Sequence, residues 1–424
     1  MIPLCDEEQV LLETSDPANI YTCSPGIVRL DSGRLVVTDG LRGSDSDDVP
    51  EPKYCPRAGQ FWQGKVLTSD DGGQTWVHRA DFPIMHARPF VAGASLYILG
   101  HAGDLMVMRS DDEGETWSNP VALTDGQVWH QAPCNVAYAN GCVYLVMERR
   151  TRFDIVGWQV GELAPVLMRA KVDDDLTQRS AWTFASELPF YEAVENVTSD
   201  PALNQFGVPF FECAYPRGGE VAPGRWCAPI GWLETNVVQF EDPDHIWFDP
   251  EGKTFHLWMR AHTGGTGYAA IAKVVEESPG EGEMTTMLET APSGKQMLFV
   301  PCPGGQMKFH ILYDDVTALF WLLSTQGTDS MTRPDRLPAN RYNLPNNERR
   351  RLQLHFSKNC VDWCFAGLVS AGAVEQASRH YASMVIDGAD LHVVSRSGDE
   401  RAKNAHDGNV VTLHSVRDFR ALVY

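Results

Sequence analysis

An all-β fold assembled from repeated sheet units is what the sequence predicts. Three observations carry that expectation: strand-sized apolar runs between turn residues, no sustained helical spacing, and an eight-residue pattern that returns. In order, the runs are GIVRL (26–30), RLVVTDG (34–40), SLYILGH (95–101), LMVMRS (105–110), CVYLVMER (142–149), TFHLWMR (254–260), ALFWLLS (318–324) and LHVVSRS (391–397). Each is rich in β-branched or aromatic residues and is bounded by Gly, Asp, Asn or Pro, the punctuation of strands. Apolar residues at i, i+3, i+4 and i+7 do not persist over any long window, so helices would have no stripe to bury. The 36 glycines and 26 prolines favour many turns.

The returning pattern is Ser69-Asp70-Asp71-Gly72-Gly73-Gln74-Thr75-Trp76, repeated forty-one residues later from Ser110 to Trp117 and, worn and without its glycine, from Ser357 to Trp363. Its Asp can fold back on main-chain N–H groups, its Gly can take a positive φ, and its Trp can cover the turn. Calcium would require six or more oxygens, more than this loop offers. The expectation is a structural hairpin clasp in a repeated unit. Radial repetition of such units is one way for many strands to avoid exposed edges.

A length of 424 residues would ordinarily suggest two or three domains, but repeated β architectures run longer as one unit, and a single domain over 1–424 is expected. The formal net charge of −21 argues against nucleic acid as a partner, since phosphate neutralisation needs a basic footprint. No basic-then-apolar leader and no run of 18 apolar residues is visible, which reads as a soluble protein without a membrane partner, cytoplasmic as written and exported if a leader has been trimmed away. The ten cysteines are scattered, the closest pair being Cys360 and Cys364, and read as buried thiols rather than a zinc site. No HxH or HExxH spacing suggests another metal, and no cofactor is expected. The sequence leaves the oligomeric state open.

The eight-residue pattern resembles the Asp-box of the sialidase superfamily, and landmark order extends the resemblance over most of the chain. It implies a six-bladed β-propeller with these boxes on outer hairpins, away from an active site that takes a carbohydrate. In that family an arginine cluster clamps the sugar carboxylate, a Tyr deprotonated by Glu attacks the anomeric carbon, and an Asp is the acid/base. The residue types suit that chemistry, since guanidinium forks match carboxylates and a phenol approaches an anionic sugar without a full negative charge.

By that resemblance the loop Arg42-Gly43-Ser44-Asp45-Ser46-Asp47-Asp48 would hold the acid/base, Asp45 or Asp47, and lend Arg42 to the substrate. Asp244, sixteen residues before Arg260, stands near the place of the Glu, and Arg260 matches the second arginine. Arg349, Arg350 and Arg351 precede the worn box where the third arginine belongs, and strand alternation puts Arg349 and Arg351 on one face. Tyr381 follows as the nucleophile, and Arg379 would point the same way on an extended chain. One landmark departs: Tyr21-Thr22-Cys23-Ser24-Pro25 keeps the Tyr and Pro of the family's Tyr-Arg-Ile-Pro without its arginine, and Arg29 is a poor substitute. That loss predicts weak binding of ordinary sialic acid.

His and Trp residues at strand ends supply further candidates, because sugar sites favour aromatic platforms with hydrogen-bonding side chains. His86, His245, His256, His406 and Trp129 are of this kind; His130 and His101 lead, and Lys308 in Pro303–His310 adds a cation beside a glycine turn. The resulting expectation is an exo-acting glycoside hydrolase releasing a terminal, acidic sugar. The alternatives are a glycan-binding propeller without catalysis and a propeller lyase acting on uronates.

Overall fold

The computed structural model describes residues 2–5, 7–45, 49–194, 203–204, 217–262, 267–330, 332, 336–338, 341 and 348–424. They form a six-bladed β-propeller, each blade an antiparallel sheet whose first strand lies on the central axis. Blade one runs outward from the paired inner segments Ile20–Thr22 and Gly26–Arg29 through Leu35–Ser44 and Gln60–Ser69 to Val77–Phe82. Blade two is Met85–Ala92, Ser95–Ala102, Asp104–Ser110 and Val121–Ala122. Blade three begins with Trp129–His130 and Ala137–Ala139 and continues through Cys142–Arg150, Leu163–Lys171 and Thr183–Phe184.

Blade four comprises Gly231–Val238, Thr254–His262, Tyr268–Ser278 and Glu281–Met287; blade five His310–Asp314, Leu319–Thr325, Arg351–Ser357 and Cys364–Ala371. Blade six takes Arg379–Asp387, Asp390–Ser397 and Val410–Val416 and borrows Glu8–Glu13 as its outermost strand, in the register Glu8 opposite His414. Ring closure thus joins the first strand to the last.

The strands read as nearly continuous apolar runs because each blade is covered on both faces by its neighbours. Apolar side chains collect in the seams. Tyr144 of blade three stacks on Phe255 of blade four at a centroid distance of 4.1 Å, and between blades four and five Phe240 joins Trp258 and Phe320, its ring centroid 5.8 and 5.6 Å from theirs. Ile27, Val37 and Leu67 of blade one pack against Val394 and Leu413 of blade six, closing the ring with apolar contact.

The repeated Ser-x-Asp pattern turns the third strand into the fourth in blades one and two. Asp71 accepts from the Thr75 amide at 2.8 Å and the Thr75 hydroxyl at 2.6 Å, the Gly73 amide donates to Ser69 Oγ at 2.9 Å, and the Trp76 indole donates to the Gly73 carbonyl at 3.0 Å. Asp112, Thr116, Gly114, Ser110 and Trp117 repeat the same bonds. The worn copy occupies the corresponding hairpin of blade five, where Asn359 Oδ1 accepts from the Val361 and Asp362 amides. Both carboxylates are spent within their own turns, as a clasp requires. Among the described residues, no helix is long and apolar enough to cross a membrane.

Candidate active site

At one mouth of the central axis the innermost strands surround a cavity of about 620 Å3. A second cavity, of about 400 Å3, lies farther along the same strands and is lined largely by apolar groups such as Ile27, Pro89, Val237, Ile311 and Met384. The arginines Arg42, Arg260, Arg349 and Arg396 converge on the first. Three inner strands reach it through the same local device. In blade two the ladder shifts between Met85 and Arg88, in blade four between Leu233 and Asn236, and in blade six between His380 and Ser383. Each irregularity contains one non-glycine residue at positive φ: His86 at 52°, Glu234 at 58° and Tyr381 at 50°. Such conformations typically cost ~1–3 kcal/mol each and cluster at functional sites, where a bulge re-aims a side chain. All three side chains line the cavity.

Arg260, on the second strand of blade four, ties two of them together. Its Nη1 donates to Tyr381 Oη at 3.1 Å and lies 3.2 and 3.3 Å from the two Glu234 oxygens, while its Nε donates to the Gln306 carbonyl at 2.8 Å. Burial disfavours the Arg260 charge, but Glu234 and Tyr381 outweigh it and raise its pKa. The guanidinium carbons of Arg349 and Arg396 each lie 5.4 Å from the Tyr381 ring centroid. Arg42 donates to Asp407 at 2.7 Å and sits 5.4 Å from the Trp62 ring centroid.

Arg42, Arg260, Arg349 and Arg396 therefore gather around two nearby carboxylates, Glu234 and Asp407. Burial opposes the Asp407 charge, yet the His406 hydrogen bond and Arg42 hold its pKa well below the usual carboxylate range. Arg396, pushed down to about 10 by burial and then by Arg42, has Nε and Nη2 buried without a hydrogen-bond partner; its Nη2 lies 3.5 Å from Asp407. Locally the site is cationic within an anionic chain, which suits capture of a small anionic ligand.

The structure brings Tyr381, Arg260, Arg349, Arg42 and His130 of the sequence candidates to this cavity. His101 lies behind the wall, its Nε2 3.0 Å from His86 Nδ1. Lys308 is buried and bonds the Ala382 carbonyl and Ser383 Oγ, supporting the Tyr381 bulge from behind. Burial lowers its pKa to about 8.

Four candidates sit elsewhere. Asp244 is exposed in a turn where its amide bonds Asp242, so Glu234 replaces it as the carboxylate beside Arg260. Arg379 binds Glu8 and the Ser378 and Gly398 carbonyls, because the bulge breaks the alternation that would have aligned it with Tyr381. Arg351 pairs with Glu348 at 2.6 Å; Arg349 precedes the strand, so alternation does not link the two. Asp45 is exposed and paired with Lys53 at 2.7 Å. Asp47 lies outside the described residues.

Sequence reasoning missed Glu234 and Arg396 as site residues. Each is a charged residue inside an apolar run, GWLETNVV and LHVVSRS, and burial of an ionisable group there was the available signal. The arginine-free turn Cys23–Ser24 also reaches the cavity, and Arg42 and Arg396 act electrostatically on Cys23. Guanidinium charge is thus supplied near that landmark from other strands.

No protein-family profile matches the chain, and no curated protein sequence does. Solved structures do resemble it. A protein of unknown function from Dyadobacter fermentans aligns with a TM-score of 0.53 and 11% identity over 97% of this chain and 98% of its own. A Hadza microbial sialidase gives a TM-score of 0.52 and 14% identity over 94% of this chain and 66% of its own. The Trypanosoma rangeli sialidase in its covalent intermediate with 2,3-difluorosialic acid gives 0.51 and 13% over 99% and 60%. The chain therefore spans about two thirds or less of those two sialidase chains. At these identities the likeness establishes a shared propeller fold, that of structures which include sialidases.

Proposed function

We propose that the chain is an exo-acting glycoside hydrolase that releases a terminal anionic sugar, with Tyr381 as nucleophile and Glu234 as the carboxylate that takes its proton. The observation carrying this reading is the Tyr381–Arg260–Glu234 array in an arginine-lined cavity, each end of it held on a strained bulge. Arg42, Arg349 and Arg396 supply guanidinium groups for the sugar's carboxylate. Arg260 bonds the phenol oxygen and so favours the charge that develops on it during attack. A cavity of about 620 Å3 falls within the ~300–1,000 Å3 of small-molecule sites and suits the end of a glycan. The hairpin clasps, read as Asp-boxes, agree with this assignment.

The test is a panel of 4-nitrophenyl glycosides of acidic sugars, both 2-keto-3-deoxy acids and hexuronic acids, with neutral hexosides as controls. Release of a free acidic sugar is the expected result. An unsaturated, ultraviolet-absorbing product from a uronate polymer would favour elimination, and saturable binding without any product would favour a glycan-binding propeller.

A further inference from the structure

Among the described residues lining the cavity, Glu234 is the single carboxylate, and it is already engaged with Arg260. Hydrolysis through a tyrosyl intermediate needs a second proton-transferring group, at the glycosidic oxygen. The third bulge offers one. His86 shares with Glu234 and Tyr381 an innermost strand, a ladder irregularity, a left-handed backbone and a place on the cavity wall. Its Nδ1 is held by His101 Nε2 at 3.0 Å, and its ring meets Trp62 edge-on at 5.1 Å and His130 at 5.3 Å. These contacts fix the ring and leave Nε2 as the nitrogen available to a ligand.

Resting on the hydrolase reading, we infer that His86 is the catalytic acid and base at the glycosidic oxygen, with His101 as its positioning residue. In the first step Tyr381 Oη bonds the anomeric carbon and its proton passes to Glu234. The glycosidic C–O bond breaks, and the leaving oxygen takes the proton from His86 Nε2. In the second step His86 Nε2 accepts a proton from water as that water's oxygen bonds the anomeric carbon. The Tyr381 C–O bond breaks, and the phenolate recovers its proton from Glu234.

The donating state places one extra proton on the His86–His101 pair. Burial opposes that charge most, and His130 of blade three, Arg42 of blade one and Arg396 of blade six oppose it as well. An anionic sugar held by Arg42 and Arg396 offsets those two guanidinium charges, so the acid is charged best when the substrate is in place. A neutral sugar brings no such compensation.

The test compares two glycosides of one acidic sugar, identified with the panel above: a 4-nitrophenyl glycoside, whose leaving group departs without an acid, and the corresponding alkyl glycoside. His86→Asn is the first variant, since Asn tolerates the left-handed backbone, and His86→Gln is the second; melting temperature monitors the fold of both. The expected result is a loss of roughly 100- to 10,000-fold in kcat/KM on the alkyl glycoside, with a loss below about tenfold on the aryl one. Equal losses on both substrates in a variant that melts with the wild type, or no loss on either, would overturn the assignment. A wild type that cleaves neither glycoside removes the hydrolase reading itself, whereas a wild type that cleaves both while the variants lose both equally leaves that reading standing without His86.

Discussion

Replacing Glu234 by Gln removes one negative charge from a buried cluster while keeping the side chain's size. Glu234 and Arg260 have side chains each 2% exposed and 3.2 Å apart. At an effective dielectric constant of about 20, that separation is worth about 5 kcal/mol of attraction. Breaking a buried pair on one side typically costs about 3–5 kcal/mol, because the partner charge stays behind. Here the charge left behind is crowded by Arg349, which acts on the same Tyr381 and on Arg260. An unfolding entropy of ~2.1 cal/mol/K per residue over 424 residues gives about 0.9 kcal/mol/K, so the melting temperature should fall by about 3–6 °C. Differential scanning calorimetry on wild type and Glu234→Gln reads this directly. Turnover should drop roughly 100- to 10,000-fold, the range for a lost proton acceptor. An anionic sugar at 100 times its Kd should restore about 2.7 kcal/mol of stability by mass action. A variant that melts within ~1 °C of the wild type would refute the claim that this carboxylate balances the cluster.

Tyr381→Phe keeps the ring between its guanidinium neighbours but deletes the oxygen bonded by Arg260, so kcat should fall by orders of magnitude while stability changes by about 1 kcal/mol; steady-state kinetics and calorimetry on one preparation separate the two. Arg396→Met relieves a buried cation, so thermal melting should occur at or above the wild-type temperature, while Kd for an acidic monosaccharide, read by titration calorimetry, weakens tenfold or more. Stability should peak near pH 6.5. Burial lowers His101 and His262 to about 3 and His355 and His414 to about 4, so the unfolded chain binds more protons as pH falls below 6.5 and stability is lost. Burial raises Asp39 and Glu148 to about 8, so the folded chain holds protons that the unfolded chain lacks and stability is lost as pH rises towards 8. Denaturant midpoints from pH 4.5 to 8.5 would expose a monotonic trend, which contradicts this assignment.

The fold was legible because its signals are local. A strand between two blades must be apolar on both faces, and TFHLWMR and CVYLVMER say so in one dimension; Ser69 to Trp76 closes its hydrogen bonds within itself. Tyr381, Arg260 and Arg349 were legible from their order along the chain. Glu234 was not, because its relation to Arg260 runs across a strand pair, with Leu233 opposite Arg260, rather than along the sequence. Asp244 has the expected distance in residues, but it lies in the turn leading away from the cavity. The bulges were the deeper obstacle: nothing in Arg379-His380-Tyr381 announces a left-handed residue, and one such residue reverses which side chains face inward.

Blade six carries Tyr381 on its innermost strand, yet its outermost strand is Glu8–Glu13. The sheet that seats the phenol therefore depends on pairing between segments far apart along the chain. Such long-range pairing must meet its loop-closure entropy before its contacts stabilise anything, so the seat of Tyr381 is a slow part of the fold to complete. A lesion in the leading strand, which contributes no side chain to the cavity, would be felt first at Tyr381's blade.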